Sequence, residues 1–165
     1  MRRIIALALA LVLNISCSNT SEKLSDKALN YTLTNAEGQK IALKDIIKKH
    51  KGKALVLEFW ASWCGDCVKN MPNVKKLQAE NATTDFVFIS FDKTPEAWKA
   101  GIEKHELVGE QYYVGETMKG DFGKAVGIDW IPRYMVLDQK GNVALYRAIE
   151  TDNDKVDAVL KGLAK

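Results

Sequence analysis

The sequence predicts an α/β fold whose sheet combines parallel and antiparallel strands, and three observations carry that prediction. Residues 54 to 60 (ALVLEFW) and 85 to 91 (DFVFISF) are nearly continuous apolar runs of strand length, the pattern of strands covered on both faces. Between them Val68, Met71, Val74 and Leu77 recur at helical spacing, so strand, helix and strand make a right-handed parallel crossover. Residues 133 to 149 (RYMVLDQKGNVALYRAI) then form two antiparallel strands joined at Asp138 to Gly141, with Asp first and Gly fourth as a type I turn prefers.

The remaining elements follow in chain order. Residues 31 to 43 (YTLTNAEGQKIAL) alternate and turn at Glu37-Gly38, a hairpin pattern, and residues 44 to 53 (KDIIKKHKGK) make a short helix. Thr94 and Pro95 suit the N-cap and first turn of a helix carrying Trp98 and Ile102. Residues 111 to 115 (QYYVG) form a short strand, and residues 118 to 127 (MKGDFGKAVG) a short helix ended by Gly127. The closing segment places Val156, Val159, Leu160 and Leu163 on one helical face, with Asp152 and Asp154 near its start and lysines near its end, in accord with the helix dipole.

A chain of 165 residues with 47% hydrophobic and 27% charged content suits one globular domain. Its formal charge of +3 includes Arg2 and Arg3, which lie in the leader described next, so the remainder is nearly neutral. No basic stripe is available to neutralise phosphates, which argues against a nucleic-acid partner. The N-terminus opens with two arginines, runs apolar from Ile4 to Leu13 and turns polar before Cys17. That run is shorter than the ~20 residues needed to span a bilayer and fits the ~7–15 of a secretory signal. The expected organisation is a signal peptide over residues 1–17, a polar tether over 18–28 and a folded domain over 29–165. Cys17 resembles the acylated cysteine of a bacterial lipobox, although Asn14 and Ser16 stand where that motif usually has Leu and a small Gly or Ala. Lipidation would also remove the odd thiol from a three-cysteine exported chain, and two or more acyl chains would hold the protein at a membrane. Ordinary signal cleavage near Ser16 is the alternative.

The segment Trp63-Cys64-Gly65-Asp66-Cys67 places two thiols two residues apart just after an apolar strand. If a helix begins at Cys64, its unpaired N–H groups and dipole stabilise a thiolate there, making Cys64 the nucleophile. Cys67, nearly one turn later and less exposed, can then attack a mixed disulfide on Cys64 and release the reduced partner. Zinc needs two further ligands, but His50 and His105 lie far apart in charged stretches that read as solvated, so no metal is expected. A purely structural disulfide closing so small a loop would add little. Redox exchange is the reading that remains. Glu58 interrupts the apolar strand, and a buried carboxyl there would hold its proton to unusually high pH and could take the proton from Cys67; the other possibility is a strand end where Glu58 reaches water. Asp66, a carboxylate beside the thiols, disfavours the thiolate form and so tunes the pair towards electron donation.

Together, FWASWCGDC, the preceding KGKALVLEFWA, the long central insertion and the later IPRYMVLDQKGNV resemble the thioredoxin superfamily, in particular its membrane-tethered TlpA/ResA-type thiol-disulfide oxidoreductases. The resemblance runs from about Leu29 to the C-terminus. It implies a thioredoxin-like α/β fold: a central mixed β-sheet flanked by helices, with an N-terminal β-hairpin and a central insertion. It also implies a cis-proline at Pro132 beside the cysteines, Ile131 offering its amide and carbonyl to an extended partner segment, and Trp63 beside the nucleophile. Glu58, six residues before Cys64, matches the buried acid of the superfamily. Many relatives carry Glu three residues after the second cysteine; here that position is Asn70. The pair between the cysteines is Gly65-Asp66 rather than Gly-Pro.

The function expected is thiol-disulfide exchange, as a reductant, with disulfide-containing exported proteins. It needs no cofactor; re-reduction comes from a membrane electron donor, and cytochrome c maturation and thiol repair are the family's pathways. The expected setting is periplasm-facing, anchored through Cys17, as a monomer. Three other readings are weighed against it. A thiol peroxidase would need groups polarising a peroxide, for which Arg133 is the sole candidate. A copper chaperone would have wider cysteine spacing and a downstream histidine. A non-catalytic module of the same fold would fail to reduce insulin.

Overall fold

The computed structural model describes residues 23 to 164. The expected signal peptide, Cys17 and the first part of the tether lie outside the described residues, as does Lys165. The chain forms α1 (Asp26–Asn30), β1 (Thr32–Asn35), β2 (Lys40–Ala42), α2 (Leu43–Lys49), β3 (Leu55–Trp60), α3 (Gly65–Glu80), β4 (Asp85–Ser90), α4 (Pro95–His105), β5 (Glu110–Tyr113), α5 (Asp121–Ala125), β6 (Arg133–Leu137), β7 (Val143–Ala148) and α6 (Asn153–Leu163). Seven strands make one sheet in the order β2-β1-β5-β4-β3-β6-β7. β3 pairs parallel with β4 and antiparallel with β6, so the sheet is mixed and β3 lies inside it.

Every residue of β3 is buried, as its apolar run requires. Two of the expected caps are visible in atomic detail. The Thr94 side chain accepts the Ala97 N–H at 3.2 Å with Pro95 in the first turn of α4, and Asp138 accepts the Gly141 N–H through its carbonyl at 2.9 Å in the β6–β7 turn. The central insertion supplies α4, β5 and α5. β5 joins the amino-terminal hairpin to the rest of the sheet, pairing antiparallel with β1 and parallel with β4. α3 packs with α6, while α1 packs on α2 and α5.

The structure departs from the sequence reading in two places. Residues 26 to 28, read as tether, already belong to α1, where Ser25 Oγ accepts the Ala28 N–H at 3.1 Å and Ala28 is fully buried. His50, read as solvated, is 8% exposed: its Nδ1 lies 2.8 Å from Asp85 Oδ2 and its Nε2 3.6 Å from Glu110 Oε1. The polar stretch around it belongs to the end of α2, which these contacts fasten to β4 and β5. Burial alone would raise the Asp85 carboxyl, but the hydrogen bonds and charges of His50 and Lys53 outweigh it and hold Asp85 below the usual range.

Candidate active site

β3 delivers the chain from the middle of the sheet into a four-residue loop, and that loop is fixed before it reaches the first cysteine. Asp92, 1% exposed just beyond β4, accepts the Ser62 N–H on both carboxylate oxygens at 3.1 Å each and the Ser62 hydroxyl at 2.7 Å. Ser90 Oγ donates to the same carboxylate at 2.7 Å. A buried carboxylate is tolerated only with such partners, and here they tie the loop to the neighbouring strand. Behind the loop stands Gly101 of α4, where a Cβ would come within 2.7 Å of Ser62 Cβ and 3.1 Å of the Trp60 ring.

Cys64 is the N-cap of the 16-residue α3, the helix start that the sequence analysis expected. The Cys67 N–H points at Cys64 Sγ from 3.1 Å, and the Cys64 carbonyl accepts the Val68 N–H at 3.0 Å. Cys64 is 6% exposed and Cys67 not at all; the two form a disulfide with Cα atoms 5.3 Å apart. An N–H aimed at the first sulfur at a helix N-terminus stabilises negative charge there and not on the second sulfur. Gly65 leads α3 with open space where its side chain would be, and Asp66 stands half-buried in the first turn.

The second wall comes from the segment before β6. The Ile131-Pro132 peptide bond is cis, and the Ile131 carbonyl oxygen lies 3.5 Å from Cys64 Sγ. Ile131 and Pro132 are buried, whereas Trp63, the residue before Cys64, is 53% exposed. Arg133 is buried and bonds Asp129 at 2.6 Å.

Glu58 is 1% exposed in the interior of β3, opposite Tyr134 of β6. Tyr134 Oη is 3.4 Å from Glu58 Oε1, and the Asn70 amide donates to the same hydroxyl at 2.7 Å. Because Asn70 occupies the acceptor side of the hydroxyl, the Tyr134 proton is left to point at Glu58. Asn70 lies on α3 one turn beyond Cys67, which places Glu58 on the sheet face beneath that helix. Burial pushes the Glu58 carboxyl up to about 8, against the opposing hydrogen bond from Tyr134, and Oε2 has no partner among the described residues. Burial likewise raises Tyr134 well above its ordinary value, with the nearby Glu58 charge acting in the same direction.

A family profile described as Redoxin matches residues 23–161. The chain belongs to the Redoxin family. It is 28% identical over 141 residues to a thiol-disulfide oxidoreductase ResA of Bacillus thuringiensis subsp. konkukian, covering 84% of this chain and 78% of that protein. Two solved structures share the fold. A thiol-disulfide oxidoreductase from Bacteroides fragilis superposes with a TM-score of 0.68 at 23% identity over 84% of this chain and 99% of that one. A secreted Mycobacterium tuberculosis disulfide oxidoreductase described as homologous to E. coli DsbE superposes with a TM-score of 0.63 at 20% identity, over 84% of this chain and 100% of that one. Fold and relatives together make it a TlpA/ResA-like member of the thioredoxin superfamily, a thiol-disulfide oxidoreductase.

The structure brings Trp63, Cys64, Gly65, Asp66, Cys67, Ile131 and Pro132 together and sets Glu58 beneath α3. Asp92, Tyr134 and Trp130 belong to the same region but were not read from sequence. Tyr134 is detectable only through register, once β6 is known to lie against β3 with residue 134 opposite 58. Asp92 carries no local signal; its importance comes from a loop thirty residues away. No helix among the described residues is long and apolar enough to cross a membrane.

Proposed function

We propose that this oxidoreductase exchanges disulfides with exported proteins as a reductant; the observation that carries the exchange reading is the asymmetry of the cysteine pair, the Cys67 N–H supporting Cys64 Sγ at 3.1 Å while Cys67 itself is sealed from solvent, and the donor direction rests on Asp66. In the reduced protein the Cys64 thiolate attacks one sulfur of a partner disulfide. That S–S bond breaks, a partner thiolate leaves, and a mixed disulfide joins the two proteins. Cys67 then gives its proton to the ionised Glu58 carboxylate and attacks Cys64 Sγ, breaking the mixed disulfide and expelling the second partner thiolate. Two electrons have passed to the partner, and the chain is left with the Cys64–Cys67 disulfide. A membrane-borne thiol donor then reduces it again.

Ile131 and Pro132 hold backbone beside the sulfur for the partner, and Asp66 favours the donor direction by repelling a neighbouring thiolate. Export rests on the leader-like N-terminus, with Cys17 as the lipid anchor. A relative described as secreted supports that setting. The thiol peroxidase alternative has less support, because Arg133 is already engaged with Asp129.

The test is to produce Cys67→Ser, which can attack but cannot resolve, and to identify what it traps. Reducible adducts with exported cysteine proteins, absent from Cys64→Ser, are expected. The direction is read from the reduction potential of the pair. A value near or below the about −270 mV of a thioredoxin supports a reductant, whereas one near the about −120 mV of a strong oxidant would contradict it.

A further inference from the structure

The described residues leave three large apolar side chains substantially exposed: Trp63 at 53%, Val108 at 71% and Trp130 at 53%. Two of these belong to the segments that meet at Cys64 Sγ. Trp63 directly precedes Cys64, and Trp130 directly precedes Ile131, whose carbonyl lies 3.5 Å from Cys64 Sγ. The same chain buries its other two tryptophans, Trp60 and Trp98, to 1% or less. Exposed indoles on both segments that meet at one sulfur mark a surface that is covered when a partner is bound.

The backbone carrying Trp130 is held in place. The Asp129 carboxylate bridges Arg133 at 2.6 Å and Arg147 at 3.1 Å, and Tyr146 Oη donates to the Val126 carbonyl at 3.0 Å. Ile131 on the other side is buried and leads into the cis peptide bond. A large ring on a fixed segment needs little ordering on contact, which is why tryptophan dominates interfaces of this kind.

The occupant follows from the chemistry of exchange. A partner sulfur must come within about 2 Å of Cys64 Sγ to form the mixed disulfide. In an extended segment each residue advances about 3.3 Å, so the first and second neighbours of the partner cysteine pass over the two indoles. We propose that Trp63 and Trp130 form a two-sided apolar clamp on the cysteine-bearing segment of the partner, and that Trp130 selects segments with a branched aliphatic or aromatic residue beside the reacting cysteine. This rests on the reading of Cys64 as the attacking sulfur: its thiolate displaces one sulfur of the partner disulfide, and the clamp only positions that disulfide.

The test uses the reduced protein and two peptides whose single cysteine carries a chromogenic mixed disulfide, one reading Leu-Cys-Val and the other Ser-Cys-Ser in the same flanks. 2-Hydroxyethyl disulfide serves as a substrate too small to reach the clamp. The readout is the ratio of each peptide's rate constant to that of the small disulfide, for the native chain, Trp130→Ala and Trp130→Phe. The native chain should favour the apolar peptide. Trp130→Ala should lower the apolar peptide's ratio about tenfold, equivalent to about 1.4 kcal/mol, should lower the serine peptide's much less, and Trp130→Phe should restore most of the loss. An apolar-peptide ratio unchanged by Trp130→Ala, or an equal fall for both peptides, overturns the clamp and leaves the exchange chemistry standing. A native chain that reacts with none of the three substrates overturns the reading of Cys64 and the clamp with it. Sedimentation velocity supplies the last arm: self-association abolished by Trp130→Ala would assign the indoles to a second copy of this chain and overturn the proposal.

Discussion

Replacing Glu58 by Gln isolates the cost of a buried charge from the packing around it. Glutamine has the shape of the protonated acid, keeps the oxygen that faces Tyr134, and puts its amide where Oε2 already lacks a partner. Burial raises the Glu58 carboxyl from 4.5 to about 8, so between those values the folded protein holds a proton that the unfolded chain has released. The folded value is the raised one. Its contribution to stability is therefore whole below about 4.5 and is lost as the pH climbs through about 8. At 1.36 kcal/mol per unit, the loss accumulated between about pH 5 and pH 8 is about 3 kcal/mol, a large share of the stability of a small domain.

The measurement is urea unfolding of the oxidised native chain and of Glu58→Gln, both with the disulfide intact, at pH 5 and at pH 8. Packing changes caused by the substitution are common to both pH values and cancel in the double difference, as do all other titrating groups. The variant should gain about 3 kcal/mol on the native chain between the two conditions. Parallel behaviour within about 1 kcal/mol would show that Glu58 is not held as a buried acid in solution, and would remove the basis for its taking a proton from Cys67. In exchange assays the same variant should slow release of the reduced partner while leaving the first attack by Cys64 largely intact.

Two further outcomes follow from the same region. Tyr134→Phe removes the hydrogen bond that lowers the Glu58 value, so the pH dependence of the release step should move to higher pH; a shift to lower pH, or none, would contradict the assigned hydrogen bond. Gly101→Ala drives a methyl group to 2.7 Å from Ser62 Cβ and 3.1 Å from the Trp60 ring, and should destabilise the domain by about 1–3 kcal/mol in urea unfolding, with slower attack by Cys64; an unchanged midpoint would show that α4 yields freely behind the loop.

Much of this architecture is legible in the sequence because its apolar residues report their own burial. The run from Leu55 to Trp60 is strand-like and fully buried, and Met71, Val74 and Leu77 line the inner face of α3. Cys64 marks its helix start because the chemistry of the pair requires one. The cis bond at Pro132 follows from family resemblance alone, since a lone X-Pro dipeptide favours trans. Polar burial was harder to read, for one physical reason: whether a polar group is tolerated inside depends on a partner that is distant in sequence. His50 is sealed by Asp85 across 35 positions, and Asn70 faces inward because Tyr134, 64 positions away, accepts its amide. Val68, which continues the apolar period, is left half-buried. α1 carries no periodic signal because its five residues bury chiefly Ala28.

The polar groups that were hard to read divide the labour around the cysteines. Asp92 fixes the approach to Cys64 through two backbone-to-carboxylate contacts and two hydroxyl contacts, so Cys64 follows a braced loop. Tyr134 and Asn70 act on the other side, under α3, where the tyrosine hydroxyl faces the buried Glu58 carboxyl. A first attack needs a supported sulfur at the surface, and the resolving step needs a base strong enough to take a proton from a thiol near neutral pH, which a carboxylate becomes only when burial raises its proton affinity. Those demands conflict if placed on one face, because the solvent that admits a partner would also return the carboxyl to its ordinary, weakly basic range. Setting Trp63, Trp130 and the Ile131 carbonyl on the outer side, and Glu58 with its tyrosine on the inner side, removes the conflict, and the helix beginning at Cys64 is the element that separates the two.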